Sequence, residues 1–583
     1  MKKRLGLLSF FLLSIISCRQ DNQNISNLET FAKAYGYVKY FHPSDEASSI
    51  DWDKFSAYGA QEILKCRTNT QVINTLNDLF NPIAPSVTFS LSDNSLAYDF
   101  KIITPDNPLE YRITFWQHLG TNIGMNMNGV YESLRVNRNV TQNQKKLFDF
   151  QPEFTEIITK EIGNHLYCQI PLSLYCNDKN TYPKADSVPL KKLIKELGAF
   201  NYDSNKSAMR LGNIINVYNV MQHFYPYFDV VKVNWGKELN IALLKSFNDK
   251  SPEDHLQTLQ RFTASLHDGH GNVFLKTKEY YSPPITWEWV ENKLVITNIY
   301  DKTLDIHVGD TVTTIDGINS KEYFERIYPL VSAATEGWLN YKANFMSLTG
   351  DRNSKLKLTV NGKSIELFRK RNDYRRINEN EIRYKNIEDG IWYLNLDKIE
   401  MDTINKIIPE LLKSRAIICD ARGYPAGNHE LLMHFLKSDD TAKAWMQIPQ
   451  IIYPDHEKIT GYAKYDWIDL MKAKEPYLGD KRIVYIIDGS AISYAECCLG
   501  FIEGYNLAIK VGQPTAGTNG NVNPFSIPGG YTISWTGMKV VKHNGSQHHG
   551  VGIIPDIYVS KTIKGIKEHR DEFLEKAIEI AKK

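Results

Sequence analysis

The 583-residue chain sets 69 Lys and Arg against 67 Asp and Glu, a formal charge of +2 at pH 7. That balance excludes the broad basic field that holds nucleic acid or an anionic surface by charge alone. With 42% hydrophobic and 23% charged residues, the composition is that of a globular protein with several cores, and the length corresponds to about four domains.

The chain opens with Lys2, Lys3 and Arg4, an apolar run from Leu5 to Ile16, and Ser17 ahead of Cys18. This is a targeting segment over 1–17, too short to span a bilayer stably. Ile15-Ile16-Ser17-Cys18 resembles the lipobox of bacterial lipoproteins, which implies cleavage before Cys18 and a lipid on its thiol. The mature chain is then anchored in the bacterial cell envelope, at the outer membrane, on either face; an ordinary secretory signal is the other reading. Residues 19–27 are polar and read as a flexible tether, and no later segment is long and apolar enough to cross a membrane.

Of the other cysteines, Cys66, Cys168, Cys176, Cys419, Cys497 and Cys498, no pair has metal-ligand spacing. A Cys168–Cys176 bridge across a hairpin is open to an oxidising compartment, but buried thiols are the expectation. No metal or cofactor is called for.

An internal regularity follows. Leu28, Tyr35, Phe41, Pro43, Trp52, Lys54, Thr75 and Leu76 recur 183 residues later as Leu211, Tyr218, Phe224, Pro226, Trp235, Lys237, Thr258 and Leu259. Eight matches at one offset predict a duplicated helical module, its copies at 18–85 and 205–280. The second copy ends LHDGHGNVF, with Asp268, Gly269 and His270 at a glycine-rich corner, while the first has Val87 in register with His270. A histidine needed only by the fold should have a polar counterpart there, so the mismatch favours a functional role for His270. Between the copies, 86–200 alternates polar and apolar residues and predicts an antiparallel β domain.

Residues 281–371 predict a small β-rich module with a helix at 320–328. Its turns at Val308-Gly309-Asp310 and Ile315-Asp316-Gly317 resemble those of PDZ domains, which take up an extended chain terminus as an added strand. Residues 372–583 predict an α/β domain. Ile483 to Ile487 is a continuous apolar run, the pattern of a strand buried on both faces, broken at Asp488-Gly489-Ser490 and followed by a helix from Tyr494. Ser493 thus falls at a helix N-terminus, beside free N–H groups suited to an oxyanion; a plain helix cap is the bland alternative. The turn after Ala416 to Asp420 puts forward Ala426 or Gly427 as the second oxyanion donor, with the N–H of Tyr494. Residues 440–478, rich in Trp, Tyr and Lys, read as a lid or cleft wall.

Taken in order, Asp268-Gly269-His270, the GD…IDG module, DARGYPAG, Ser493-Tyr494-Ala495-Glu496, GQPTAGTNG and GVGIIPDI resemble the C-terminal processing and tricorn core proteases over about 205–583. The resemblance implies a ClpP/crotonase-like α/β peptidase core with a helical subdomain and an inserted PDZ-like domain. It also implies hydrolysis of peptide bonds in polypeptides by Ser493, with Glu496 supporting. Processing proteases use a lysine where this chain has Thr518. Tricorn-like members use a histidine before the PDZ region, and His270 matches it as general base. Two supporting positions depart: Gly269 stands where a serine is expected, and Gln547 where a glutamate is expected to orient the imidazole, leaving Asp268 to compensate. These departures keep two other uses of the site open, peptide binding without cleavage and esterase or aminolysis chemistry at the same serine.

Overall fold

The computed structural model describes residues 2–583 apart from 92–96, 123–128, 139–144, 155, 164, 202, 204–205, 373, 375–381, 389, 442–444, 466 and 468–470, and gives the backbone alone for 2–21. The Cys18 side chain lies outside that description. Helix α1 (Lys2–Phe41) runs through residues 19–27, so the stretch expected to be a flexible tether is helical. No Gly or Pro interrupts the chain between 19 and 35, so the packed half of the helix extends backwards at little cost. Asn27, buried, donates to the Cys66 carbonyl at 3.1 Å. No described helix is long and apolar enough to cross a membrane.

After α1 come α2 (Trp52–Ile63) and α3 (Asn69–Phe80). The same order returns as α4 (Ser207–Phe224), α5 (Trp235–Asn248) and α6 (Pro252–Ala264). The 183-residue offset extends to the helix caps. Asp51 and Asn234 accept from the N–H groups of Lys54 and Lys237, and Thr68 and Ser251 from those of Gln71 and Asp254. Such caps are worth about 1 kcal/mol each. Helix α4 is buried on nearly every side, as expected of a helix packed between layers. Its polar residues are spent on neighbours: Asn216 receives the Tyr35 hydroxyl at 2.5 Å, Asn219 donates to the Ala32 carbonyl at 2.8 Å, and Asn213 to the Pro528 carbonyl at 3.0 Å. The Asn219 side chain fills the space where a Cβ on Gly36 would sit, which is how closely α1 and α4 approach.

The expected antiparallel β region is present, but its larger sheet is not closed within 86–200. Strands Arg112–Leu119, Glu132–Val136, Ser173–Cys176 and Thr181–Tyr182 are joined by Met446–Ile451, Gly461–Lys464 and Lys539–Val540. The described part of 440–478, expected to be a lid or cleft wall, therefore supplies sheet strands as well. Cys168 and Cys176 lie in different sheets, and all six described cysteines are buried free thiols. Asp455, on the same insertion, takes the Tyr37 hydroxyl at 2.8 Å, Lys160 at 3.0 Å and His223 at 3.4 Å, tying it to both helical modules.

Residues 285–368 form a six-stranded antiparallel sheet with Ile285–Val290 at one edge, flanked by Ser320–Ile327 and α7 (Glu336–Met346). The last region is a six-stranded sheet in chain order: β1 (Tyr384–Glu388), β2 (Ile391–Asn395), β3 (Ala416–Asp420), β4 (Arg482–Ile487), β5 (Ile509–Gly512) and β6 (Ile557–Tyr558). The β1–β2 pair is antiparallel and every later pair parallel. Side chains of β4 alternate between two cores. Ile483, Tyr485 and Ile487 pack with α8 (Met401–Lys413) and α9 (Tyr494–Gly504), while Val484 and Ile486 pack with α10 (Glu572–Ala581). A strand covered on both faces needs an unbroken apolar run, and that is what 483–487 supplies. The loop after β3 leads into a short 3₁₀ turn, His429–His434.

Candidate active site

Ser493 is the N-cap of α9, with φ of 56° and ψ of −115°. A non-glycine residue at positive φ costs on the order of 1–3 kcal/mol and persists only where its surroundings enforce it. The constraint is visible: the Ser493 N–H donates to the Thr518 carbonyl at 3.0 Å, and its carbonyl accepts from Cys497 at 2.8 Å. No side-chain cap bond is formed, so the hydroxyl is not spent on the helix. The Ser493 hydroxyl faces the phenol of Tyr424, which burial raises above the usual tyrosine range while the serine draws it down.

Thr518 also holds the glycine-rich corner of the second helical module. Its Oγ1 accepts the Gly269 N–H at 3.0 Å. One residue on, His270 is 9% exposed and enters the strand Asn272–Leu275, which pairs antiparallel with Tyr531–Ser534. Its Nδ1 lies 2.9 Å from Thr536 Oγ1, its N–H donates to Asp268 at 3.0 Å, and its carbonyl accepts from Ser534 Oγ at 2.8 Å. Burial pushes the imidazole below its ordinary range, against the opposing pull of Asp268 and Glu496. Ser493 and His270 thus sit on either side of one threonine.

Glu496, one turn into α9 and 1% exposed, accepts from the N–H groups of Gly517 and Thr518, both at 2.8 Å, and from the Thr515 hydroxyl. His548 Nε2 stands 3.4 Å from the same carboxylate. The acid three residues after the serine therefore holds the 513–520 loop against α9, and through Thr518 it holds the serine's backbone.

Residues 390–559, β2 to β6 with Ser493 between them, match peptidase family S41. The chain is similar to peptidase family S41 over that region. It is a serine-type peptidase, a hydrolase acting on polypeptides. Among solved structures, mature CPAF complexed with lactacystin is similar with a TM-score of 0.53 and 14% identity, over 64% of this chain and 97% of that one. Mature CPAF without that compound gives a TM-score of 0.51 and 14% identity, over 64% and 96%. Identities this low are evidence of a shared fold. No curated protein matches the sequence.

The local backbone sorts the expected oxyanion donors. The Ala426 N–H donates to the Leu396 carbonyl at 2.8 Å and is spent. Gly427, at φ of 70°, lines a cavity of about 310 Å³ together with Ser493, Tyr424, Met446, Trp467 and Cys497. The N–H of Tyr494, as the first helical residue, has no carbonyl one turn earlier within α9. Of the three expected donors, the N–H groups of Gly427 and Tyr494 have no backbone acceptor among the described residues outside the regular elements. Gln547 is exposed and its amide donates to the His549 carbonyl at 2.8 Å; the His270 Nδ1 partner is Thr536. Among the described residues no group of three or more His, Cys, Asp or Glu is placed to hold a metal ion.

Thr536, Tyr424 and Trp467 are site residues the sequence did not single out, because nothing local marks a threonine after a strand or aromatics in a long insertion. Gly269 and Thr518, which stand where a serine and a lysine are expected, touch. A Cβ at 269 would lie 2.7 Å from Thr518 Oγ1 and 2.9 Å from its Cβ. Gly269→Ala is expected to lose about 1–3 kcal/mol of stability from overpacking, measured by denaturant unfolding, and Thr518→Gly in the same chain to relieve it. An unchanged unfolding midpoint in Gly269→Ala would refute the contact.

Proposed function

We propose that the chain is a lipid-anchored endopeptidase of the bacterial cell envelope, of the histidine-based, tricorn-like kind, with Ser493 as nucleophile and His270 as general base. Ser493 Oγ attacks the scissile carbonyl carbon as its proton passes to His270 Nε2. The oxyanion is received by the N–H groups of Tyr494 and Gly427, the C–N bond breaks, and the imidazolium returns its proton to the leaving amine. Water then releases the acyl group by the same steps. What carries this reading is Thr518, which bonds the backbone of Ser493 with its carbonyl and the residue before His270 with its hydroxyl. The 281–371 module is read as PDZ-like, presenting an extended chain terminus. Its edge strand Ile285–Val290 and α7 enclose a cavity of about 290 Å³ lined by Trp287, Trp289, Asn340 and Tyr341, room for an added strand. Cys18 is the proposed point of lipid attachment, and the domain limits are those expected above.

A second reading, peptide binding without cleavage, is favoured by the fact that no carboxylate among the described residues is in direct contact with the His270 ring, whose Nδ1 partner is Thr536. One experiment separates them. The full-length chain is treated with a fluorophosphonate and mapped by mass spectrometry. An adduct on Ser493 is expected; no adduct, or one on another residue, refutes the catalytic reading. The same digest reads the N-terminus, where a lipidated Cys18 supports the anchor and an uncleaved leader on membrane-extracted protein contradicts it.

A further inference from the structure

A hydroxyl carries one proton, and the surroundings of Thr536 decide where it points. Thr536 Oγ1 is 2.7 Å from Asp268 Oδ1 and 2.9 Å from His270 Nδ1. Thr536 is fully buried and Asp268 nearly so, so no bulk water competes for these bonds. An ionised carboxylate only accepts, and Asp268 also receives the N–H groups of His270 (3.0 Å) and Thr536 (2.6 Å). The Thr536 proton therefore goes to Asp268, which leaves its oxygen lone pair facing Nδ1. That contact is a hydrogen bond only if Nδ1 carries the proton.

We propose that Thr536 is the positioning residue of this peptidase: it fixes His270 as the Nδ1–H tautomer, with Nε2 bare to take a proton, and relays the Asp268 charge to the imidazolium. The inference rests on the reading of Ser493 and His270 as nucleophile and base. It assigns the orienting role to a hydroxyl and a carboxylate from two separate segments, where Gly269 offers no side chain and Gln547 is turned away.

The register of the small sheet puts Thr536 in place. Ser534 pairs with Asn272, and two more residues along each strand bring Thr536 opposite His270, as cross-strand neighbours on one face. The hydroxyl thus arrives on a rigid element, with the loop 268–270 closed on it by Asp268. Threonine suits the role better than serine would in a mobile loop, because its branched Cβ restricts χ1. The charged groups acting on the imidazole are Asp268 and Glu496, which favour the imidazolium, and Lys342 from α7, which opposes it. His549, stacked on Tyr227 at 4.0 Å, is also within the field of Asp268.

The test compares wild type, Thr536→Val and Thr536→Ser in the full-length chain, following the rate of fluorophosphonate labelling at Ser493 across pH. Valine keeps the shape and removes the hydroxyl, and is expected to lower the plateau by about 10²-fold, the low end for losing acid–base assistance. It should also move the acid limb to lower pH, since the imidazolium loses its acceptor. Serine should restore both. Valine labelling at the wild-type rate with an unmoved limb, or serine as slow as valine, overturns the proposal while leaving Ser493 and His270 standing. Wild type with no adduct on Ser493 overturns both. Should Thr536→Val fail to fold, the ¹⁵N shifts of His270 in wild type decide: an Nδ1–H tautomer supports the assignment and an Nε2–H tautomer overturns it.

Discussion

Replacing His270 with alanine is expected to lower fluorophosphonate labelling and peptide hydrolysis by about 10²–10⁴-fold, the range contributed by a positioned acid–base group. The residue lies at the end of a chain of bonds that reaches Ser493 through Gly269 and Thr518, while the oxyanion donors belong to other elements and survive the change. The remaining reaction should therefore be slow but not zero. The same residue sets the pH dependence of the wild type. Burial pushes the imidazole below its ordinary value of 6.5, so the neutral, proton-accepting form persists into mildly acid solution. Activity should be flat through neutral pH and fall only below about 6.5 as the imidazole charges. Alanine at 270 labelling at the wild-type rate, or an acid limb centred above that value, would sink the assignment.

Glu496→Ala is expected to cost about 3–5 kcal/mol, the range for removing one member of a buried charged network. The carboxylate is enclosed, and its loss leaves the Gly517 and Thr518 N–H groups and the Thr515 hydroxyl without their acceptor. Each orphaned donor costs about 1–3 kcal/mol. Glu496→Gln keeps the volume but turns one acceptor oxygen into a donor facing donors, so it should fall between alanine and wild type. Denaturant unfolding reads the difference, and a loss within about 0.5 kcal/mol, the scale of a surface change, would show that the loop does not depend on this residue. Labelling should fall alongside stability, because the loop that Glu496 holds also carries the carbonyl that bonds the Ser493 N–H.

Much of the architecture was legible because it rests on local chemistry. The buried strand 483–487 announces itself by an unbroken apolar run, the turn at Ser493 by the residues that break it, and the helical order of the two modules by matched residues at one spacing. The stretch 19–27 is helical rather than a flexible tether because polarity alone does not end a helix when no Gly or Pro intervenes and a packed segment follows. The strands within 440–478 escape a sequence reading because their pairing partners, Arg112–Leu119 and Lys539–Val540, lie far away in sequence and a short strand carries no mark of its partner, while Met446 and Trp467 of the same stretch line the cavity at Ser493. The same limit hid Thr536, whose meaning comes from the strand opposite it.

The sequence by itself put forward Ser493, His270 and the oxyanion turn, since a serine at a strand-to-helix break and a histidine without a counterpart in a repeat are properties of the chain order, and the family resemblance added Glu496. What only the tertiary structure decided is how these groups are held. It spent the Ala426 N–H on Leu396, turned Gln547 to His549, and gave His270 a threonine backed by Asp268. The His270–Thr536 contact joins residues 266 apart in the chain, brought within hydrogen-bond reach by the register of two paired strands. No local pattern of residues encodes that distance.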